Sequence, residues 1–191
     1  NQFIGREVAQ AAAERDLVPD DGAPLLMGID VARFGDDESV FRFRRGRDAR
    51  SLPPMRYRGV DTMALATHAA TAIERLKPDA VFVDGGGVGG GVVDRLKMLG
   101  YRVIEVQSGE AAHDPDKYLN RRAEMWGEMR DWLVYGCIDN DDSLIDDLTG
   151  PEYALHIKGQ IKIEGKDAMK KRGLASPDDG DSLALTFAEP V

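Results

Sequence analysis

The sequence predicts an α/β protein with a mixed central sheet flanked by helices and an additional β-hairpin. Three observations carry this expectation. Three strand-like segments near the start are joined by short turns, which favours antiparallel pairing. Helix and strand then alternate, around a short apolar strand, Ala80-Val81-Phe82-Val83, of the kind buried on both faces. A length of 191 residues, with 42% hydrophobic and 31% charged residues, fits one domain with a real core.

Residues 2–16 read as a short helix, with Ile4, Val8 and Ala11 or Ala12 at helical spacing. The Pro, Gly and Asp content of 17–24 marks a linker or turn. Residues 25–32 form a strand. Leu25, Met27, Ile29 and Val31 lie on one face, and Leu26, Gly28, Asp30 and Ala32 on the other. A turn at 33–37 leads to a second strand at 39–44, and a third follows Pro53-Pro54 at 55–60. Asp61 N-caps a helix whose apolar stripe is Leu65, Ala69, Ala72, Ile73 and Leu76, ended by Pro78. After the strand at 80–83, a glycine-rich turn opens a helix over 88–99 with Gly100 as its stop. A strand at 101–106 precedes a long helix over 118–135, with Met125, Met129, Trp132 and Leu133 as its core stripe. Residues 153–157 and 160–164 read as a hairpin around Lys158-Gly159, and 178–188 as a final helix. This is the element order of the ribonuclease-H-like fold. Its first and fourth strands are neighbours, which would bring Asp30 and Asp84 together.

Bulk properties exclude several classes. No apolar stretch approaches the roughly 20 residues that span a bilayer, and Asn1-Gln2-Phe3 does not open a signal peptide. A first residue other than Met is expected of a fragment or a trimmed chain. Cys137 is the only cysteine, which rules out an internal disulfide and a cysteine zinc site and fits a reducing cytoplasm. The net charge of −9 argues against nonspecific nucleic-acid binding, but its distribution matters more. Seven arginines fall between Arg42 and Arg58, and a second basic stretch runs from Lys158 to Arg172. Either one alone reads as a solvated charged face.

The chemistry lies in carboxylates at the ends of buried segments. Asp30 closes Leu25-Leu26-Met27-Gly28-Ile29, and Asp84 closes the strand at 80–83. Six glycines follow within 85–91. A tight strand-to-helix turn accounts for two or three of them; the run also lets metal, phosphate or DNA backbone approach without Cβ interference. No Gly-Lys-Ser/Thr follows, which speaks against a nucleotide phosphate loop. Asp178 and Asp181, three apart at a helix start, share one face. Capping explains Asp178 or Asp179, but not Asp181 beside Leu183, Leu185 and Phe187. Such a set suits hard Mg²⁺ or Mn²⁺, two ions roughly 4 Å apart acting on a phosphodiester. His68, His113 and His156 form no ligand spacing, and His68 reads as a packing or surface residue. The basic stretches would then hold phosphates.

Four segments together resemble the nuclease domain of tailed-bacteriophage terminase large subunits. They are Met27-Gly28-Ile29-Asp30-Val31-Ala32-Arg33-Phe34-Gly35-Asp36-Asp37, Val83-Asp84-Gly85-Gly86-Gly87-Val88-Gly89-Gly90-Gly91, Asn120-Arg121-Arg122-Ala123-Glu124-Met125-Trp126 and Ser176-Pro177-Asp178-Asp179-Gly180-Asp181-Ser182-Leu183. The resemblance covers nearly everything from residue 25 onward. It implies a ribonuclease-H-like endonuclease that cuts concatemeric double-stranded viral DNA during packaging, by two-metal hydrolysis with two Mg²⁺ or Mn²⁺ ions. It makes Asp30, Asp84 and Asp181 the metal ligands and catalytic residues, with Asp178 as a fourth and Asp179 its rival. The candidate DNA contacts are Arg33, Arg44, Arg122, Lys158, Lys162, Lys166 and Lys171, and the 153–164 hairpin and Lys166 fall where the family has elements beside its active site. The family's partners are the terminase ATPase domain, the small terminase subunit and the portal, in the host bacterial cytoplasm, with no membrane and no place in the mature virion. Residues 1–24 would be a helix and linker ending a missing ATPase domain, and 25–191 the nuclease domain. The family's motor carries a Walker A loop; this chain has none, so no ATPase activity is expected. The competing readings are a Holliday-junction-resolvase-like nuclease of the same fold, one lobe of an actin-like or sugar-kinase ATPase, and a noncatalytic DNA-binding module.

Overall fold

A computed structural model describes residues 1–17, 19–32 and 37–191. In chain order the first elements are α1 (Arg6–Glu14), β1 (Leu25–Asp30), β2 (Glu38–Arg45), β3 (Asp48–Ala49) and β4 (Met55–Arg58). Next come α2 (Thr62–Leu76), β5 (Ala80–Asp84), α3 (Gly89–Met98), β6 (Ile104–Val106), α4 (Arg121–Trp132) and β7 (Cys137–Ile138). The last are α5 (Asp142–Thr149), β8 (Tyr153–Leu155), β9 (Ile161–Ile163), α6 (Lys166–Lys171) and α7 (Asp178–Leu185). The main sheet runs β6-β5-β1-β2-β3-β7, with β4 also on β2, and β8–β9 form a separate hairpin. β1 pairs antiparallel with β2 and parallel with β5, so the sheet is mixed and its first and fourth expected strands are indeed neighbours.

Strand register divides the side chains between two layers. Met27 faces Phe43 and Ile29 faces Phe41 across β1–β2. These four pack against Leu65 and Ala69 of α2 and Val92 and Leu96 of α3. Each fully buried Leu or Ile stabilises the fold by roughly 1.5–3 kcal/mol. Leu26 and Phe82 point to the opposite layer, a cluster with Ile4, Trp126, Leu144 and Leu183 that draws in α1, α4, α5 and α7. On this side Gly28 pairs with Arg42 and Leu26 with Arg44. α7 lies directly over β1 and β2. The Ser182 hydroxyl sits 2.9 and 3.0 Å from the carbonyl oxygens of Gly28 and Val40. A Cβ at Gly28 would run into the Ser182 carbonyl oxygen, so glycine sets how closely α7 approaches the sheet.

Several elements differ from expectation for local reasons. α4 begins at Arg121, not at 118, because Asn120 caps it and Leu119 N–H instead donates to Ile161 O of the hairpin. The strand expected from 101 pairs only over Ile104–Val106. The last helix stops at Leu185. α5, α6, β3 and β7 were not expected at all. α1 is shorter than 2–16, and its Ala9, Ala12 and Ala13 join the same core as α5 and β7. Among the described residues, no helix is long and apolar enough to cross a membrane.

Candidate active site

The parallel register Ile29–Val83 delivers Asp30 and Asp84 side by side at the carboxyl ends of β1 and β5. Behind Asp84, the glycine turn folds back on the carboxylate. Gly86 N–H donates to Asp84 Oδ1 at 3.0 Å, and the Ser108 hydroxyl donates to Oδ2 at 3.3 Å. Gly87 has φ +60°, and a Cβ at Gly89 would strike the Asp84 carbonyl oxygen. The turn itself therefore requires these two glycines. Gly90 and Gly91 have room for a side chain in ordinary contact.

α7 brings Asp178 and Asp181 to the same place. Asp181 lines a small recess with Asp84, Ser108, Arg122 and Trp126. The carboxylates meet around one ammonium group. Lys166 Nζ lies 2.9 and 3.1 Å from the two oxygens of Asp30, 3.6 Å from Asp178 Oδ1 and 3.4 Å from Asp181 Oδ2. Asp178 is further held by Ser176 Oγ at 2.7 Å and Glu38 N–H at 3.1 Å. Asp181 Oδ1 accepts from Arg122 at 2.5 Å and from Trp126 Nε1 at 3.0 Å.

Burial governs the electrostatics. Asp30 is 1% exposed, and its pKa is raised well above the ordinary carboxylate value. Desolvation is the main cause; Lys166 opposes it, and Asp181, Asp178 and Asp84 add to it. Burial also raises Asp178, against Lys166 and the Ser176 bond. At Asp181 burial is outweighed by Arg122, Lys166 and the two side-chain hydrogen bonds, which hold it below the ordinary value. Burial opposes the charge on Lys166, but Asp30, Asp181 and Asp178 prevail and keep it firmly protonated. Asp30, Asp178 and Asp181 thus share two cations, Lys166 and Arg122, with Asp84 at the adjoining strand end.

Among the described residues, no three His, Cys, Asp or Glu side chains are placed, as they stand, to hold a metal ion. The Lys166 ammonium occupies the space between them. The donors nevertheless suit a hard divalent cation. They are all carboxylate oxygens, and one of them, Asp181 Oδ2, is buried without a hydrogen bond. Asp179 belongs elsewhere: its carboxylate binds Arg42 and Arg56. Asp178, not Asp179, is the one of the two beside Lys166.

The expected DNA contacts divide sharply. Lys158 and Lys162 on the hairpin and Lys171 on α6 are exposed. Lys166 and Arg122 are not free surface cations, being committed to Asp30 and Asp181. Arg44 is likewise engaged within the protein. Its guanidinium bonds Thr186 at Oγ1 and at the backbone oxygen and lies 4.0 Å from the Phe187 ring centre, and burial lowers its pKa to about 10. Arg33 lies outside the described residues. Part of the arginine stretch is internal, while Arg47, Arg56 and Arg58 are exposed. Arg42 pairs with Asp139 and Asp179, and Arg50 bonds the carbonyls of Ile138, Ala12 and Ala13. His68 is an exposed residue stacked on Tyr57 at 4.3 Å. Reading the sequence alone assigned no role to Trp126 or Ser108. The Arg122–Trp126 spacing of four, just after a capping Asn, was the signal available for Trp126; nothing local marked Ser108.

A mixed sheet with acidic residues at the ends of two adjacent parallel strands and on a helix lying across them is the arrangement of the ribonuclease-H-like fold. The same fold occurs in nuclease domains of phage terminase large subunits. A mutant nuclease domain of the large terminase subunit gp2 of bacterial virus Sf6, with manganese and beta-thujaplicinol, superposes with a TM-score of 0.84 at 21% identity, covering 98% of this chain and 99% of that one. The large terminase nuclease from thermophilic phage G20c gives 0.66 at 16% identity, over 88% and 83% of the two chains. The large terminase nuclease domain of Thermus phage P74-26 gives 0.62 at 15%, over 87% and 79%. At these identities the likeness establishes the fold. No protein-family model matches the sequence, and neither does any curated protein.

Proposed function

We propose that this chain is a divalent-metal-dependent endodeoxyribonuclease that cuts concatemeric double-stranded DNA during phage genome packaging. The observation that carries the reading is the convergence of Asp30, Asp178 and Asp181 on one buried ammonium, with Asp84 at the adjoining strand end. The fold is that of terminase nuclease domains, including structures bearing manganese, magnesium and cobalt. In this reading Asp30, Asp84, Asp178 and Asp181 are the ligands of two Mg²⁺ or Mn²⁺ ions. Bound ions would supply Lewis acidity to the phosphodiester and to the attacking water.

The chain's own groups would do the rest. Asp181 stays ionised because Arg122 and Lys166 favour its charged form. Burial works against the charge on Asp30 and Lys166 works for it, and a bound cation would favour the charged form further. Entry of a cation would require Lys166 to leave the position between the carboxylates, and its ammonium would then be free to meet a phosphate oxygen. Lys158, Lys162 and Lys171 supply exposed charge along the hairpin and α6 for the DNA backbone. The family's ATPase domain, small subunit and portal are the partners this reading implies, in the host cytoplasm.

Plasmid nicking with Mn²⁺, Mg²⁺ or EDTA tests the proposal. Cleavage with Mn²⁺ or Mg²⁺, abolished by EDTA and by Asp30→Asn or Asp181→Asn, is the expected result. Undiminished cutting by both variants would sink the site assignment.

A further inference from the structure

The two oxygens of Asp181 are in different circumstances. Oδ1 accepts from both Arg122 Nη1 and Trp126 Nε1, at 2.5 and 3.0 Å. Oδ2 is buried and accepts no hydrogen bond, with Lys166 Nζ 3.4 Å away. Both donors to Oδ1 stand on one face of α4, four residues apart. That helix is fixed at its start. Asn120 caps it, and the buried Glu124 carboxylate accepts the backbone N–H groups of His113 and Asp114. Arg122 is fixed in turn by Glu164 O at 3.2 Å. Trp126 packs against α7 so tightly that a Cβ at Gly180 would press on its ring. The carboxylate plane is therefore set by a neighbouring helix rather than by its own.

We propose that Arg122 and Trp126 are positioning residues that make Asp181 a one-oxygen ligand, offering only Oδ2 to a divalent cation, and that this restriction biases the site toward Mg²⁺ and Mn²⁺ over Ca²⁺. The inference rests on the metal-dependent reading above. Ca²⁺ takes six to eight oxygens and commonly chelates a carboxylate through both, whereas Mg²⁺ demands near-octahedral geometry and accepts single oxygens. A carboxylate with one oxygen already doubly bonded cannot chelate without breaking those bonds.

Calorimetric titration of the full chain with Mg²⁺, Mn²⁺ and Ca²⁺ separately tests this, read as the ratio of Ca²⁺ to Mg²⁺ affinity. Trp126→Phe keeps the ring and removes the N–H; Arg122→Lys keeps the charge and loses the fork. Removing such outer partners typically costs about 10–100-fold in metal affinity. We expect Mg²⁺ affinity to fall about tenfold in a Trp126→Phe/Arg122→Lys double variant. Ca²⁺ should fall less or gain, so the ratio moves toward Ca²⁺, with smaller shifts in each single variant. Thermal melts confirm folding; if the double variant fails to fold, the single variants carry the comparison. Equal losses for both ions, or an unchanged ratio, would overturn the inference while leaving the nuclease reading standing. A wild-type chain that binds none of the three ions would overturn both.

Discussion

Helix α7 sends its aspartates into two clusters of different construction. Asp179 joins Asp139 and Asp141 around two guanidinium groups. Arg42 lies 2.7 Å from both Asp139 and Asp179, and Arg56 lies 2.6 Å from Asp141 and 2.8 Å from Asp179. Asp178 and Asp181 join Asp30 around the single ammonium of Lys166. An arginine fork presents several fixed donors and matches carboxylates in pairs, whereas a lysine is a point charge on a flexible stem. The arginine cluster is thus a cross-link tying β2, β4, α7 and the 139–141 segment together. The lysine cluster leaves a buried oxygen without a hydrogen bond, and its cation can in principle be exchanged for another. Asp178 and Asp179, adjacent on α7, thus enter two clusters held by different kinds of cation.

The largest expected effect comes from breaking the cross-link. Arg42 is 2% exposed, and Arg42→Met leaves Asp139 and Asp179 short of a partner. Losing one member of a buried ionic network costs about 3–5 kcal/mol, and urea unfolding should show it. A loss below about 1 kcal/mol, the worth of an exposed pair, would mean the cluster is not a cross-link. The lysine cluster should behave in the opposite sense. Asp30→Asn should lower cleavage about a hundredfold or more, beyond the usual loss for a residue one step removed from a metal. Its unfolding free energy should stay level or rise, because burial already works against the Asp30 charge. A variant that loses stability and activity in proportion would erase the distinction between the clusters.

This division of labour was only half visible in the sequence. Asp30 and Asp84 were legible because each ends an apolar run, and strand order then made them neighbours. Arg42 and Arg44 were not. They alternate with Phe41 and Phe43, as solvent-facing residues of a one-sided strand would, but α7 covers their face too. Local periodicity cannot say that a second layer lies above a strand. α5 was not expected: it has only eight residues, three of them aspartates, although Leu144, Ile145 and Leu148 form a buried stripe. α6 has six residues and buries only Met169. β3 and β7, of two residues each, fall below any pattern. The resemblance put Lys166 beside the active site, but nothing near it in sequence points to Asp30, 136 residues away.

Exchanging the ammonium sharpens the comparison further. Lys166→Ala leaves Asp30, Asp178 and Asp181 without their shared cation, so the metal-free protein should melt earlier than wild type. Mn²⁺ at a hundred times its Kd should stabilise this variant by about 2.7 kcal/mol. Wild type should gain less, since the ion must first displace Lys166. Equal metal-induced shifts in melting would mean that the ammonium and the ion do not compete.

The effect smallest per step, read one pH unit at a time, probes the seam between the clusters. Asp147 on α5 accepts the N–H of Asp179 at 2.8 Å and of Gly180 at 3.3 Å, so a carboxylate from another helix caps α7. Burial first, and then the charges of Asp179 and Asp178, push its pKa from 3.8 up to about 8, against the two backbone bonds. Between those values the folded chain keeps a proton that the unfolded chain has released. Stability from this group therefore falls as pH rises from about 4 to about 8. Asp147→Asn cannot ionise, yet its amide oxygen can still accept both N–H groups. Wild type should lose ground to this variant by up to about 1.4 kcal/mol per pH unit across that window. Urea unfolding at several pH values measures the difference. Parallel stability curves would mean that Asp147 is already ionised at neutral pH, its charge answered by α7's N-terminus despite Asp179 beside it.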